Sequence, residues 1–322
     1  MKKALAILLA LALVGGVAFA QVTVSGRVQG TSTFEMDAAD EFAMTFAPLV
    51  RINISGKTED GNTGASIRMN LSNITQAVAG TNDPITEALF SYAYGYVKLL
   101  DGMITLNAGK LYHFDYSTFN NSASEMYGMF DAGSLFWTLQ NYGIYANIAA
   151  TETLSFGVKI IPDAALSLGD FGVAVGFDIP DTAHIVLTST LNDTVADSEI
   201  DLAISISAVE NLYAVVGYAG LTAHKAYAIV GYNVMENFYV EANTIVTLSP
   251  AIDYYAELIA EYGFAPNFRA GFDFVYYNGG NMDIFAELNY SANKFYFTTG
   301  LQLNVAAGAV GWSVPVVLRY NF

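Results

Sequence analysis

The chain has no cysteine. That one absence rules out disulfide staples, thiolate metal sites and lipid attachment through an N-terminal thiol, and it is compatible with passage through an oxidising compartment. Charge is scarce too. Charged residues fill 13% of the 322 positions against 53% for hydrophobic ones, and 13 Lys and Arg face 30 Asp and Glu, for a formal net charge of -17. So acidic a chain repels nucleic acid, and no polynucleotide partner is expected. The only histidines are His113, His184 and His224, which do not fall at metal-ligand spacing, and no Gly-rich phosphate loop opens a helix. No catalytic set, metal site or cofactor is implied, and an enzyme is not expected. After Ala20 no stretch approaches the roughly 20 apolar residues that a spanning helix needs. The apolar excess must fill a very large core or face lipid from strands.

At the N-terminus, Lys2 and Lys3 precede an apolar run from Ala4 to Val14, then Gly15, Gly16 and the small-residue site Ala18-Phe19-Ala20. This is the pattern of a cleaved secretory signal peptide, too short for an anchor. Residues 1–20 are expected to be removed, with Ala18 and Ala20 marking the cleavage site, and 21–322 to form a single domain without a linker.

From Gln21 onward the residues alternate. Val22, Val24, Gly26, Val28 and Gly30 share one face against Thr23, Ser25, Arg27, Gln29 and Thr31. Phe42, Met44, Phe46, Val50, Ile52 and Ile54 oppose Thr45, Arg51, Asn53 and Ser55, and the period persists through Phe268, Ala270, Phe272 and Phe274 against Arg269, Gly271 and Asp273. Period two places one side of each strand in an apolar medium and the other in a polar one. Tight-turn junctions recur at Asn211, Asn237, Asn267 and Asn293, where Asn tolerates positive φ and can bond its own backbone. The count comes to about 18 strands, with 16 as the alternative because the hairpins between Leu166 and Leu191 are short. A cylinder of 16 to 18 strands is too wide for side chains to fill, so its apolar face must point outward. The expected fold is all-β: a transmembrane antiparallel up-and-down β-barrel.

The ending fits this reading. Trp312, Val314, Val316, Leu318, Tyr320 and Phe322 lie on one face, and the terminal Phe322 with Tyr320 two before it resembles the C-terminal signature of bacterial outer-membrane β-barrels. Val22-Thr23-Val24-Ser25-Gly26, and Tyr94-Gly95-Tyr96-Val97-Lys98-Leu99 followed by Asp101-Gly102 and Ile104-Thr105-Leu106-Asn107-Ala108-Gly109-Lys110, resemble segments of the general diffusion porins. Ser25 stands where the family has Tyr, and Lys110 where it has Arg. The resemblance implies a barrel in the bacterial outer membrane, embedded in its lipid, inserted by the barrel-assembly machinery and grouped as a homotrimer. It also implies passive diffusion of small hydrophilic solutes or ions through a water-filled channel, and a loop after Leu111 that folds inward, although the constriction motif itself is not recognisable between Leu111 and Gly133. The competing reading is a structural or adhesion barrel with a closed lumen.

On the polar face, Arg27, Arg51, Arg68, Lys98 and Arg319 are expected to form a basic arc across the closure of the barrel. Glu241, Glu257, Asp273 and Glu287, with Glu261 and Asp283, are expected to form an acidic sector on four later strands. Opposed arcs of charge select ions and orient dipolar solutes in pores. Phe238, Tyr239, Tyr276, Tyr290, Trp312 and Tyr320, near strand ends, read as interfacial girdles, and Tyr239, Tyr255, Phe285 and Tyr296 are the candidates for a file of lumen aromatics.

Overall fold

A computed structural model describes residues 21–36, 41–71, 90–111, 142–162, 168–191, 198–220, 224–248, 251–306 and 309–322. The expectations for residues 1–20, including Ala18 and Ala20, and for the segment after Leu111, including His113, lie outside the described residues.

Eighteen strands follow one another. They are β1 (Gln21–Met36), β2 (Phe42–Lys57), β3 (Thr63–Asn70), β4 (Phe90–Leu99), β5 (Ile104–Lys110), β6 (Tyr142–Ala149), β7 (Leu154–Pro162), β8 (Leu168–Ile179) and β9 (Ala183–Leu191). Then come β10 (Glu199–Ile206), β11 (Leu212–Ala219), β12 (Lys225–Met235), β13 (Phe238–Thr247), β14 (Asp253–Ala265), β15 (Phe268–Tyr277), β16 (Met282–Ala292), β17 (Phe295–Ala306) and β18 (Ala309–Asn321). Each pairs antiparallel with the next, and β18 pairs with β1, from Arg27↔Asn321 to Met36↔Trp312. The sheet therefore closes on itself and leaves no strand edge exposed, as a strand-built membrane span requires. The short hairpin that left the count open is real: β8 and β9 pair from Phe171↔Leu191 to Ile179↔Ala183, and Asp181 in their turn adopts φ 56.

The junctions at Asn211, Asn237 and Asn293 solve their turns in two ways. Asn211 (φ 64) and Asn293 (φ 54) take the left-handed conformation expected of them. Asn237 does not bond its own backbone. Its amide donates across to the Gly263 carbonyl of the neighbouring strand at 2.8 Å, and the flanking strand pairs shift register at Asn233/Met235 and Gly263/Ala265. Asn211→Val should therefore destabilise the barrel by about 1–3 kcal/mol, the cost of holding a β-branched residue at positive φ, while Asn211→Gly stays near wild type. Denaturant titration of refolded protein checks both.

Curvature separates the two faces. On a closed cylinder the outer side chains splay apart and the inner ones converge. Val22, Phe42, Phe46, Phe272 and Leu318 are exposed, the last at 50%, whereas Tyr145, Val215, Ile259, Asp273 and Phe285 are fully buried. The register assigns these sets to opposite faces, since Phe272 pairs with Ala260 and Ala286 while its neighbour Asp273 pairs with Ile259 and Phe285. The greasy face is the convex one.

Candidate functional site: the charged inner wall

Arg27 of β1 lies directly opposite Arg51 of β2, and Arg319 sits one rung away, opposite Gln29. Arg68 of β3 is opposite Asn53. Like charges in register repel, and neutral groups keep the guanidinium planes in place. Arg51 Nε donates to Asn70 Oδ1 at 3.0 Å and Arg68 Nε to Asn53 Oδ1 at 2.8 Å. The Arg68 guanidinium lies 4.7 Å from the Tyr92 ring centre and that of Arg319 lies 4.2 Å from Tyr296, a placement attractive for a cation over an aromatic face. The structure brings these four arginines together. Lys98 belongs to the same face, opposite Thr105, but stands exposed at the opposite end of β4 from Tyr92 and Arg68.

One strand beyond β18, past β17, the carboxylates form a slanting file. The inner face of β13 carries Glu241 and Asn243, that of β14 Glu257, Ile259 and Glu261, that of β15 Asp273, and that of β16 Asp283, Phe285 and Glu287. The register alternates acid with apolar or amide partners, as in Glu241↔Ile259↔Asp273↔Phe285 and Asn243↔Glu257↔Val275↔Asp283, so the carboxylates meet along diagonals. Their hydrogen-bond donors are mostly neutral. Asn243 Nδ2 bridges Glu241 Oε1 at 2.9 Å and Glu257 Oε2 at 2.8 Å, Asn289 donates to Glu287 at 2.7 Å, and the Tyr239 hydroxyl donates to Glu241. Asp283 accepts from Tyr277 at 3.0 Å and Asn304 at 2.6 Å. Arg269, which interrupts the acidic run in the sequence, approaches Glu261 at 3.9 Å and is itself largely exposed. Amide and phenol donors hold carboxylates in place without cancelling their charge.

Glycines let some inner side chains lie flat on the wall. A Cβ at Gly271 would sit 2.7 Å from Glu287 Cγ, and one at Gly300 would sit 3.0 Å from the Phe285 ring. Tyr239, Tyr255, Phe285 and Tyr296 all face inward, with the Tyr255 and Tyr277 rings 6.2 Å apart. The girdle reading fails for Tyr239, which the register turns to the inner face. It fits Phe238, Tyr276, Tyr290 and Tyr320 on the outside, where Phe268 and Tyr290 pack 4.8 Å apart.

The inner wall also carries apolar patches that the alternation conceals. Tyr145, Ile161, Ala174 and Val186 of β6 to β9 cluster with Leu111, and Ala203, Val215, Tyr227, Ile229 and Ile245 of β10 to β13 form a second cluster. In β11 and β12 both faces are apolar, as in Ala214-Val215-Val216 and Ile229-Val230, so period two cannot separate them. The histidines make local contacts: His184 Nδ1 lies 2.7 Å from Asp178 Oδ1 near the β8–β9 turn, and His224 bonds the Tyr218 hydroxyl.

No protein-family model matches the chain, and no curated protein matches it. Among solved structures it resembles mutants of the Rhodopseudomonas blastica porin. One triple mutant is 16% identical with a TM-score of 0.60, and another is 17% identical with a TM-score of 0.57. Each alignment covers 94% of this chain and 100% of the other. Identity at that level speaks for architecture alone. With a closed sheet, an apolar convex face and charged inner sectors already established, the chain has the fold of a bacterial porin barrel.

Proposed function

We propose that this barrel sits in the bacterial outer membrane and passes small hydrophilic solutes and ions by passive diffusion through a water-filled lumen. The observation that carries the reading is the segregation of charge on the concave face: arginines on β1 to β3 and β18, carboxylates on β13 to β16, held mostly by neutral donors. Carboxylates gathered in one sector of the wall beside a water-filled path concentrate cations there. Export under the signal in residues 1–20, insertion by the barrel-assembly machinery, contact with outer-membrane lipid and a homotrimeric state belong to the same proposal. Arg27, Arg51, Arg68, Arg319, Glu241 and Glu287 line the path in this reading, with Lys98 at its mouth, and the net charge of -17 makes the channel prefer cations.

Zero-current potentials in planar bilayers under a salt gradient test it. The Glu241→Gln/Glu287→Gln double variant should lower the cation-to-anion permeability ratio by about fivefold or more, since removing two wall charges forfeits on the order of 1 kcal/mol of local attraction. Anion preference in the wild type, unaltered by the double variant, would overturn the charge assignment. The competing reading, a structural barrel with a closed lumen, draws on the inner apolar clusters. It requires refolded protein to show no discrete conductance steps.

A further inference from the structure

One carboxylate in the acidic file is unlike the rest. Asp273 is 1% exposed, and neither of its oxygens accepts a hydrogen bond among the described residues. Its cross-strand neighbours are Ile259 and Phe285, which have nothing to donate. The crevice beside it, between Ile259, Gly271, Phe285 and Glu287, has no space for a water molecule. What does lie beside it, on the same-face diagonal of the β14–β15 pair, is another carboxyl group, that of Glu257. Glu257 is 3% exposed; its Oε2 takes the Asn243 amide at 2.8 Å, and its Oε1 has no donor among the described residues.

Two ionised carboxylates cannot bond each other, and burying them together without a donor is among the costliest arrangements a protein can hold. Among the described residues, the charged and titratable groups around Asp273 offer no counterweight. Glu257 and Glu261 approach from β14, and Asp283 and Glu287 from β16, all of one sign. Tyr277, on the same strand, gives its hydroxyl to Asp283. Arg269, also on β15, points toward Glu261 and solvent. A metal could neutralise the pair, but among the described residues no group of three carboxylate or imidazole side chains is arranged to hold one. A proton is the remaining neutralising species that fits the space.

We propose that Asp273 and Glu257 form a carboxyl–carboxylate pair holding one proton between them at neutral pH, so that the two acids present a single negative charge to the lumen. The pair titrates as a unit. The functional consequence rests on the channel reading above: Glu241, Glu287 and one shared charge set the selectivity, and alkaline conditions add a charge to the wall.

Infrared difference spectroscopy tests the pair without reference to conductance. The wild type should show the C=O stretch of a buried protonated carboxyl group at neutral pH, and Asp273→Asn and Glu257→Gln should each abolish it, because the partner left behind ionises. In planar bilayers each single variant should keep the wild-type permeability ratio, whereas the Glu257→Gln/Asp273→Asn double variant should lower it as far as Glu287→Gln does. A wild type without the infrared band, or a band that survives in both single variants, overturns the proposal. So does either single variant that loses as much cation preference as Glu287→Gln. Protein that shows the band but no conductance defeats the channel reading and leaves the acid pair standing.

Discussion

Phe272→Arg should destabilise the barrel by about 2–4 kcal/mol in lipid vesicles, whereas Gln302→Arg should remain within about 1 kcal/mol of wild type. Phe272 lies near the middle of β15 on the convex face, 41% exposed with no lipid present, between Ala260 and Ala286. In a bilayer that exposed area is hydrocarbon contact, and a guanidinium there must either enter it or drag water and headgroups inward. Gln302 is on the opposite face of β17, across from Phe285 and Ser313, where an added cation meets the field of Asp283 and Glu287. Denaturant titration of each variant folded into vesicles measures both changes. The comparison is direct because the two sites share a sheet and receive the same side chain. If the greater penalty falls on Gln302→Arg, the apolar face is not the lipid face, and the pore reading goes with it.

How far the sequence discloses this architecture depends on how local the governing physics is. Strand alternation is a period-two signal written along the chain, so the runs at Val22, Phe42 and Phe268 identify both strands and faces, and the tight turns at Asn211 and Asn293 follow from positive φ. Registers depend on both partners at once. That is why alternation shows an arc but not the direct opposition of Arg27 and Arg51, and why it sets Lys98 beside arginines from which its position along β4 separates it. Where both faces of a strand are apolar, as at Val215 and Ile229, alternation carries no information, and the inner clusters stayed hidden. The isolation of Asp273 is illegible for a further reason. It results from which donors fail to reach it across β14 and β16, and nothing in the neighbouring residues of its own strand announces that.

Gly26→Val should prevent stable closure of the barrel, at a cost of about 2–6 kcal/mol from overpacking together with the loss of two seam hydrogen bonds. The last residue of the chain meets the first strand here. Gly26 N donates to the Phe322 carbonyl at 3.1 Å, and Phe322 N donates back to the Gly26 carbonyl at 3.0 Å. A Cβ at position 26 would lie 2.5 Å from Phe322 Cζ and 2.3 Å from the Arg51 carbonyl oxygen. The Phe322 ring thus occupies the space a side chain on β1 would need, which gives a packing reason for an aromatic residue at position 322 opposite a glycine. The fraction of compact, folded barrel on unheated detergent gels reads the effect. Phe322→Ala alone should weaken the seam without a clash. Adding it to Gly26→Val should restore only part of the folded fraction, because the ring can be removed but the Arg51 carbonyl belongs to the backbone of β2. Full rescue by the double variant would locate the obstruction in the ring alone, and wild-type folding of Gly26→Val would mean that β1 and β18 do not meet at this register.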